Sequence, residues 1–122
     1  MQRYLSRTRS VAAFMAVAAA LCWSSTSLAA TPTLGPDCGT GAAIVGSDSA
    51  GKVTLGTAPA ATCTLAFSVA PLNPPACTAT NETNGGGNAV PVGVRTTTTT
   101  VEMDGMYPWV PGDIVSYSCT SY

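Results

Sequence analysis

Cysteine is the residue type with the greatest chemical potential in this chain, because histidine is absent and lysine occurs once. Cys22 lies near the N-terminus, and the other four cysteines are spread widely over the rest of the sequence. Nucleophilic catalysis needs a base beside the thiol, and zinc sites favour closely spaced thiolates or imidazoles. Without a CxxC motif or a histidine, the four are expected to pair as two disulfides: Cys38, Cys63, Cys77 and Cys119.

Carboxylates are the second source of possible chemistry, since a pair of them can hydrolyse a glycosidic bond. The candidates Glu82, Glu102 and Asp104 lie beside expected turns, where acidic side chains are normally solvated. A domain of this size is not expected to form the deep cleft that such a reaction needs. We therefore predict that the protein is not an enzyme and has no cofactor and no metal.

The loop MDGMYPWVPGD, residues 103–113, is the strongest candidate for a binding site. Tyr107 and Trp109 alternate with prolines and could form a rigid aromatic platform that stacks on a sugar ring or anchors a protein interface. In the alternative interpretation, Trp109 caps one end of the hydrophobic core. Asp104 and Asp113 flank the loop and could hold calcium, although DG and GD pairs are common turn formers.

The triplet Asn81-Glu82-Thr83 is a further candidate, since it fits the acceptor sequence for N-glycosylation and offers a carboxylate. Such triplets also arise by chance. Together with the loop, the triplet gives a predicted ligand-binding set of Tyr107, Trp109, Asp104, Asn81 and Glu82.

The first 30 residues have the three parts of a secretory signal peptide. A basic start with three arginines precedes the apolar run Val11–Trp23, and small residues follow up to Ala30. The apolar run is shorter than the roughly 20 residues that span a bilayer. We expect cleavage after Ala29 or Ala30, with a lipoprotein signal at Cys22 as the alternative, and export to the extracellular space or the periplasm.

The charge that remains after cleavage excludes two classes of partner. Lys52 and Arg95 are the basic residues beyond the signal, and all six acidic residues remain, so the net charge is −4. Binding a phosphate backbone requires clustered lysines and arginines. We therefore expect neither a nucleic-acid partner nor an anionic membrane partner. No later segment is long and apolar enough for membrane insertion.

Short strands are predicted along the whole exported chain. Alternation of apolar residues with a period of two favours strands, and glycine and proline clusters separate them. After Arg95 the apolar phase shifts to Thr97, Thr99, Val101 and Met103, so a bulge or tight turn is expected near Arg95–Thr96. The predicted strands centre on residues 43–45, 52–55, 63–69, 77–83, 90–95, 97–103 and 113–119.

The pattern predicts an all-β fold, a small antiparallel β-sandwich or jelly-roll-like domain with two disulfides. No window after the signal has helical periodicity. The predicted organisation is a signal peptide at residues 1–30, a flexible lead at 31–36 and the sandwich at 37–122.

The disulfide partners can be narrowed by strand geometry. If the chain reverses in the loop APLNPP, Cys63 and Cys77 lie at opposite ends of neighbouring strands, about 20 Å apart. Bridged cysteines need Cα atoms within about 7 Å, so these two are not expected to bond to each other. We favour Cys38–Cys63 with Cys77–Cys119, and Cys38–Cys77 with Cys63–Cys119 stays open.

The strings CGTGAAIVGSDSAGKVTLGT, CTLAFSVAPLNPPAC and GDIVSYSC together resemble the small β-rich domain at the C-terminal tip of phage tail-fibre and host-recognition proteins. They also resemble related stand-alone domains of bacteria. The resemblance covers about Asp37 to Thr120 and implies a non-enzymatic β-sandwich that often forms a homotrimer and binds a surface or glycan. A signal peptide and the lack of a fibre shaft depart from the phage pattern and favour an exported bacterial relative.

Two functions follow as hypotheses. The first is a secreted module that binds a cell-surface glycan or protein in adhesion or recognition. The second is a structural subunit of an extracellular or envelope assembly, because strands with few charges are poorly protected against edge-to-edge pairing.

Overall fold

The computed structural model describes residues 30–83 and 89–121. Regular structure in these residues is β-strand, apart from one turn of 3-10 helix at Pro36–Cys38, so the predicted all-β class is confirmed. The strands, numbered in chain order, are β1 (Thr33–Leu34), β2 (Ala43–Gly46), β3 (Ala50–Thr54), β4 (Thr62–Ala66), β5 (Ala76–Asn81), β6 (Val90–Thr96), β7 (Thr100–Asp104) and β8 (Ile114–Thr120).

The eight strands form one antiparallel sheet in the order β1-β4-β7-β6-β5-β8-β3-β2. β6 belongs to both halves of this sheet, since Val90–Val92 pairs with β5 and Gly93–Thr96 pairs with β7. A strand that changes partners in this way turns a corner and folds one half of the sheet over the other. The edge strands β1 and β2 approach each other, and the Asp48 amide donates to the Ala30 carbonyl, so the sheet is almost a closed barrel.

The hydrophobic core lies between the two halves of the sheet. Alternate residues of each strand point inward, as the period-two pattern predicts. One half contributes Cys63, Leu65, Val101 and Met103, all fully buried. The other half contributes Val53, Ala79, Val115 and Tyr117.

Both favoured disulfides are confirmed. Cys38–Cys63 joins the 3-10 turn to β4, and Cys77–Cys119 joins directly opposite residues of β5 and β8. One premise of the pairing prediction is wrong, however. β4 and β5 are not neighbours, because β7 and β6 lie between them in the sheet.

Three details of the predicted chain organisation are also wrong: the flexible lead, the end of one strand and the position of one turn. Residues 31–36 are no flexible lead, because Thr33–Leu34 pairs with β4 and Pro32 is fully buried. β4 ends at Ala66, which leaves Val69 exposed in the following loop. The expected tight turn lies at residues 97–99, where the Thr97 amide donates to the Thr100 carbonyl, and Thr97 and Thr99 face solvent there rather than the core.

No helix within residues 30–83 and 89–121 is long and apolar enough to cross a membrane. The predicted signal peptide lies outside the described residues except for Ala30, and export stays a prediction. The two disulfides fit an oxidising compartment, because cytosolic thiols are kept reduced.

Candidate functional site

The loop between β7 and β8 is anchored to the segment that precedes β4. The Gly105 amide and the Trp109 indole Nε1 both donate to the Ala61 carbonyl, at 3.4 and 2.9 Å. Gly105 packs directly on the indole, since a Cβ at this position would lie 2.9 Å from Trp109 Cε2. The loop is therefore held against the end of the β4–β7 ladder rather than projecting freely from it.

Trp109 is not part of an exposed platform. Its side chain is 8% exposed and belongs to the hydrophobic core, and its one polar atom is satisfied by Ala61. The alternative interpretation, in which this tryptophan caps one end of the core, is therefore the correct one. An indole buried in this way provides the floor on which exposed residues can rest.

The exposed face of the loop is apolar and concave. Met106 and Tyr107 are 72% and 60% exposed, and Pro108 follows them. Together with Pro59 and the buried Trp109 they line a concavity of about 350 Å³, which we call the aromatic concavity. Of the two aromatic residues expected to form a binding face, the structure places only Tyr107 at the surface.

A strained residue directly precedes the second wall of the aromatic concavity, residues 59–61. Ala58 has a φ of 51°, and it is the one non-glycine residue with positive φ in the described part of the chain. Left-handed backbone is unfavourable for residues with a Cβ, and such strain is concentrated at functional sites. Ala58 directly precedes Pro59 and fixes the direction in which residues 59–61 approach the loop.

The C-terminal end of the loop is fixed by a buried polar network around Asp113. Asn81 Nδ2 and the Val110 amide donate to Asp113 Oδ2 at 3.0 and 3.1 Å. The Thr83 hydroxyl lies 3.1 Å from both Asp113 Oδ1 and Asn81 Oδ1 and accepts the Ile114 amide at 2.8 Å. The carboxylate thus satisfies the buried amide group of Asn81 and also accepts from the Val110 amide and the Thr83 hydroxyl.

This network changes the interpretation of two predicted site residues. Asn81 is 3% exposed, and its amide group is used by Asp113 and Thr83, so neither a ligand nor a glycan can reach it in the folded protein. Asp113 is 6% exposed and has both oxygens engaged. The structure therefore assigns Asn81 and Asp113 to the support of the loop, which contradicts the predicted binding role of Asn81.

Glu82 lies on the solvent side of the same strand end. Its Oε2 accepts from Lys52 Nζ at 2.8 Å, and this contact, with a smaller contribution from Ser116, holds the pKa of Glu82 below its ordinary value. Asp104, the last residue of β7, is exposed beside Gly105. Asp104 therefore lies at the start of the loop that carries Tyr107, whereas Glu82, the residue after β5, forms an exposed ion pair with Lys52 on β3.

The sequence contains no signal for the second wall of the concavity, residues 59–61. Pro59-Ala60-Ala61 has neither charge nor strand alternation, and nothing in its local pattern indicates the loop that it contacts. Its partner is 48 residues away along the chain at Trp109.

Comparisons with known proteins give no identification. No family model, no curated protein and no solved structure matches this chain. The resemblance to tail-fibre tip domains therefore stays a prediction, and function has to be inferred from the chemistry of the described residues.

Proposed function

We propose that this protein is an exported, non-enzymatic recognition module that binds carbohydrate at a surface through the aromatic concavity. The observation that supports this most strongly is the exposed Tyr107 beside a concavity with a buried aromatic floor. Its walls are rigid, because proline side chains and the Ala61 hydrogen bonds restrict the backbone. A preformed site avoids the entropy cost of ordering a loop on binding.

The composition of the concavity suits one face of a sugar ring. A pyranose has an apolar face that stacks on an aromatic ring and an edge of hydroxyl groups that need polar partners. Tyr107 supplies the ring and a phenolic hydroxyl, and the exposed Asp104 carboxylate is the nearest acidic group along the loop. Neutral or basic glycans are favoured, because the exported chain has a net charge of −4.

A glycan array tests this proposal with three variants beside the wild type. Tyr107→Ala removes the stacking surface and is expected to lower binding about fivefold or more, by analogy with base–aromatic stacking, which contributes about 1–3 kcal/mol. Tyr107→Phe keeps the ring and is expected to retain most of the affinity. The control Leu72→Ala removes an apolar side chain that is 96% exposed in another loop, and it should leave binding unchanged.

Wild-type silence across the array would refute carbohydrate binding, and equal binding by Tyr107→Ala would refute the aromatic concavity as the binding site. Trp109 is unsuitable as a test residue, because its truncation removes part of the core. Folding of each variant is checked by comparing its amide NMR spectrum with that of the wild type before the array is interpreted.

A structural subunit is the second candidate function, and the edge of the sheet favours it. β2 contains no charged residue and no proline, and Val45 on this strand is 78% exposed. Unprotected edge strands pair with other chains. Sedimentation of the exported form separates the two functions: open-ended assemblies indicate the structural role, and a monomer or closed homotrimer indicates the recognition module.

A further inference from the structure

The two disulfides differ in their surroundings. Cys38 and Cys63 are fully buried in the hydrophobic core, so no solvent thiol reaches them in the folded protein. Cys77 and Cys119 are only partly buried at the end of the β5–β8 ladder, with one further residue pair, Ala76 and Thr120, beyond them. The second disulfide is therefore the one that can react without unfolding.

A separate cavity of about 210 Å³ leads to this disulfide, at the opposite end of β8 from the aromatic concavity. Cys119 lines it, and the apolar walls are Phe67, Val69, Pro71 and Pro75. We call it the cystine cavity. Its volume fits a small molecule of a few non-hydrogen atoms rather than a folded partner.

The wall of the cystine cavity is fixed by Asp48. One carboxylate oxygen accepts the Ser68 amide, and the other accepts the Ser68 hydroxyl and the Val69 amide, at 2.9–3.0 Å. These bonds hold the loop that follows β4 in place. Asp48 also places a negative charge at the cavity, and no basic residue is among those that line it.

We propose that the Cys77–Cys119 disulfide is a thiol-exchange site for small uncharged or cationic thiols. The thiolate of the entering molecule attacks Sγ of Cys119 and forms a new sulfur–sulfur bond with it. The Cys77–Cys119 bond breaks, and Cys77 leaves as a thiolate that takes a proton from water. The product is a mixed disulfide on Cys119 and a free thiol on Cys77, so no further oxidant or reductant is needed.

The fold is expected to survive this exchange. β5 and β8 pair over six positions, and β8 also pairs with β3. The Cys119 amide donates to the Ser49 carbonyl at 2.7 Å, and this backbone bond does not depend on the sulfur. Cys38–Cys63 remains closed in the core, so the modified protein keeps one of its two covalent links.

The charge of Asp48 predicts which thiols react. Cysteamine is cationic, 2-mercaptoethanol is neutral and mercaptoacetate is anionic, and all three are small enough for the cavity. For each thiol, the exchange rate with the protein is expressed per thiolate. It is then divided by the rate at which the same thiol reacts with the small uncharged bis(2-hydroxyethyl) disulfide, which removes differences in intrinsic nucleophilicity. The expected order is cysteamine, then 2-mercaptoethanol, then mercaptoacetate, with about tenfold or more between the first and last at low salt.

Differential alkylation and peptide mass spectrometry of the folded protein measure the products. We expect the adduct on Cys119, a free thiol on Cys77 and an intact Cys38–Cys63 disulfide. Val69→Trp, which fills the cavity, should slow exchange at least fivefold, whereas the control Val45→Trp on exposed β2 should not.

Equal reduction of both disulfides, adducts on Cys77 alone, or a faster rate for mercaptoacetate would each overturn the proposal. Asp48→Asn supplies a further check that does not depend on filling the cavity. It should reduce the ratio of the cysteamine rate to the mercaptoacetate rate, and an unchanged ratio would contradict the assigned role of this carboxylate.

Discussion

Replacing Asn81 with aspartate tests the buried network that supports the loop between β7 and β8. In the wild type, Asn81 Nδ2 donates to Asp113 Oδ2 at 3.0 Å, and both side chains are more than 90% buried. Asn81→Asp has nearly the same shape but puts two carboxylates in contact. The variant is therefore expected to be destabilised by charge rather than by packing.

The size of the penalty depends on pH. Two unit charges about 4 Å apart at an effective dielectric constant of 20 repel by about 4 kcal/mol. The folded variant can avoid this repulsion by binding one proton. Proton binding costs about 1.4 kcal/mol for each unit by which the pH exceeds the unfolded-state pKa of about 4. At pH 7, charge repulsion and proton binding each cost about 4 kcal/mol. At pH 4 the proton is bound at little cost, and the remaining penalty is the change of the hydrogen bond from Asn81 to its aspartate replacement, about 1 kcal/mol.

The sign follows from linkage. Contact between the carboxylates raises the pKa of the pair in folded Asn81→Asp above its unfolded value, so the folded state binds more protons than the unfolded state. The penalty is then small below the unfolded pKa and grows as the pH rises above it. Urea unfolding of variant and wild type at pH 4 and pH 7 gives the difference, which we expect to be about 3 kcal/mol.

Asn73→Asp is the matched control, because Asn73 is exposed in the loop before β5. It should change the free energy of unfolding by less than about 0.5 kcal/mol at either pH. A penalty at Asn81 that is the same at pH 4 and pH 7, or below about 1 kcal/mol at pH 7, would refute the buried contact with Asp113.

Three further predictions concern strain, packing and a buried phenol. Ala58→Gly relieves the positive φ of 51° and should raise the free energy of unfolding by about 0.5–1 kcal/mol, seen as a higher urea midpoint with unchanged slope; a loss of stability would contradict the strain. Gly105→Ala pushes a methyl group against Trp109 and should cost about 1–3 kcal/mol, whereas Gly93→Ala, with no atom nearer than 3.5 Å, should be neutral in the same assay. Burial, with a smaller effect of the Asp48 carboxylate, raises the pKa of Tyr117 to about 12. The protonated phenol therefore contributes to the free energy of unfolding below the unfolded pKa near 10, and this contribution is lost between pH 10 and 12. Tyr117→Phe should lack this loss of unfolding free energy, and a variant with the same alkaline pH profile as the wild type would contradict it.

Local patterns in the sequence predict the strands well where one face is buried along the whole element. β6 and β8 are examples, since alternate residues of each are inward-facing in the structure. The pairing of strands is not local, because β4 and β5 follow each other in the chain yet lie three places apart in the sheet. The expected distance between Cys63 and Cys77 excludes one of the three possible pairings of four cysteines, and the structure decides between the other two.

The loop between β7 and β8 could be located from its composition, but the direction of its side chains could not be predicted. Tyr107 and Trp109 are two residues apart, and one is exposed while the other is buried. The difference arises from Ala61, which accepts the indole hydrogen bond from a distant part of the chain. Asn81 is a similar case, since its partner Asp113 is 32 residues away.

Methionine oxidation tests the proposed recognition surface most directly. Met106 in the loop is 72% exposed, whereas Met103 is fully buried and serves as an internal reference in the same peptide region. The predicted exported form, residues 31–122, is treated with dilute peroxide, alone and with an excess of the array glycan that it binds best, and the sulfoxide at each methionine is quantified. We expect the glycan to slow oxidation of Met106 at least threefold while Met103 stays unoxidised throughout. Full occupancy by the glycan with an unchanged rate at Met106 would contradict the assignment of binding to the aromatic concavity.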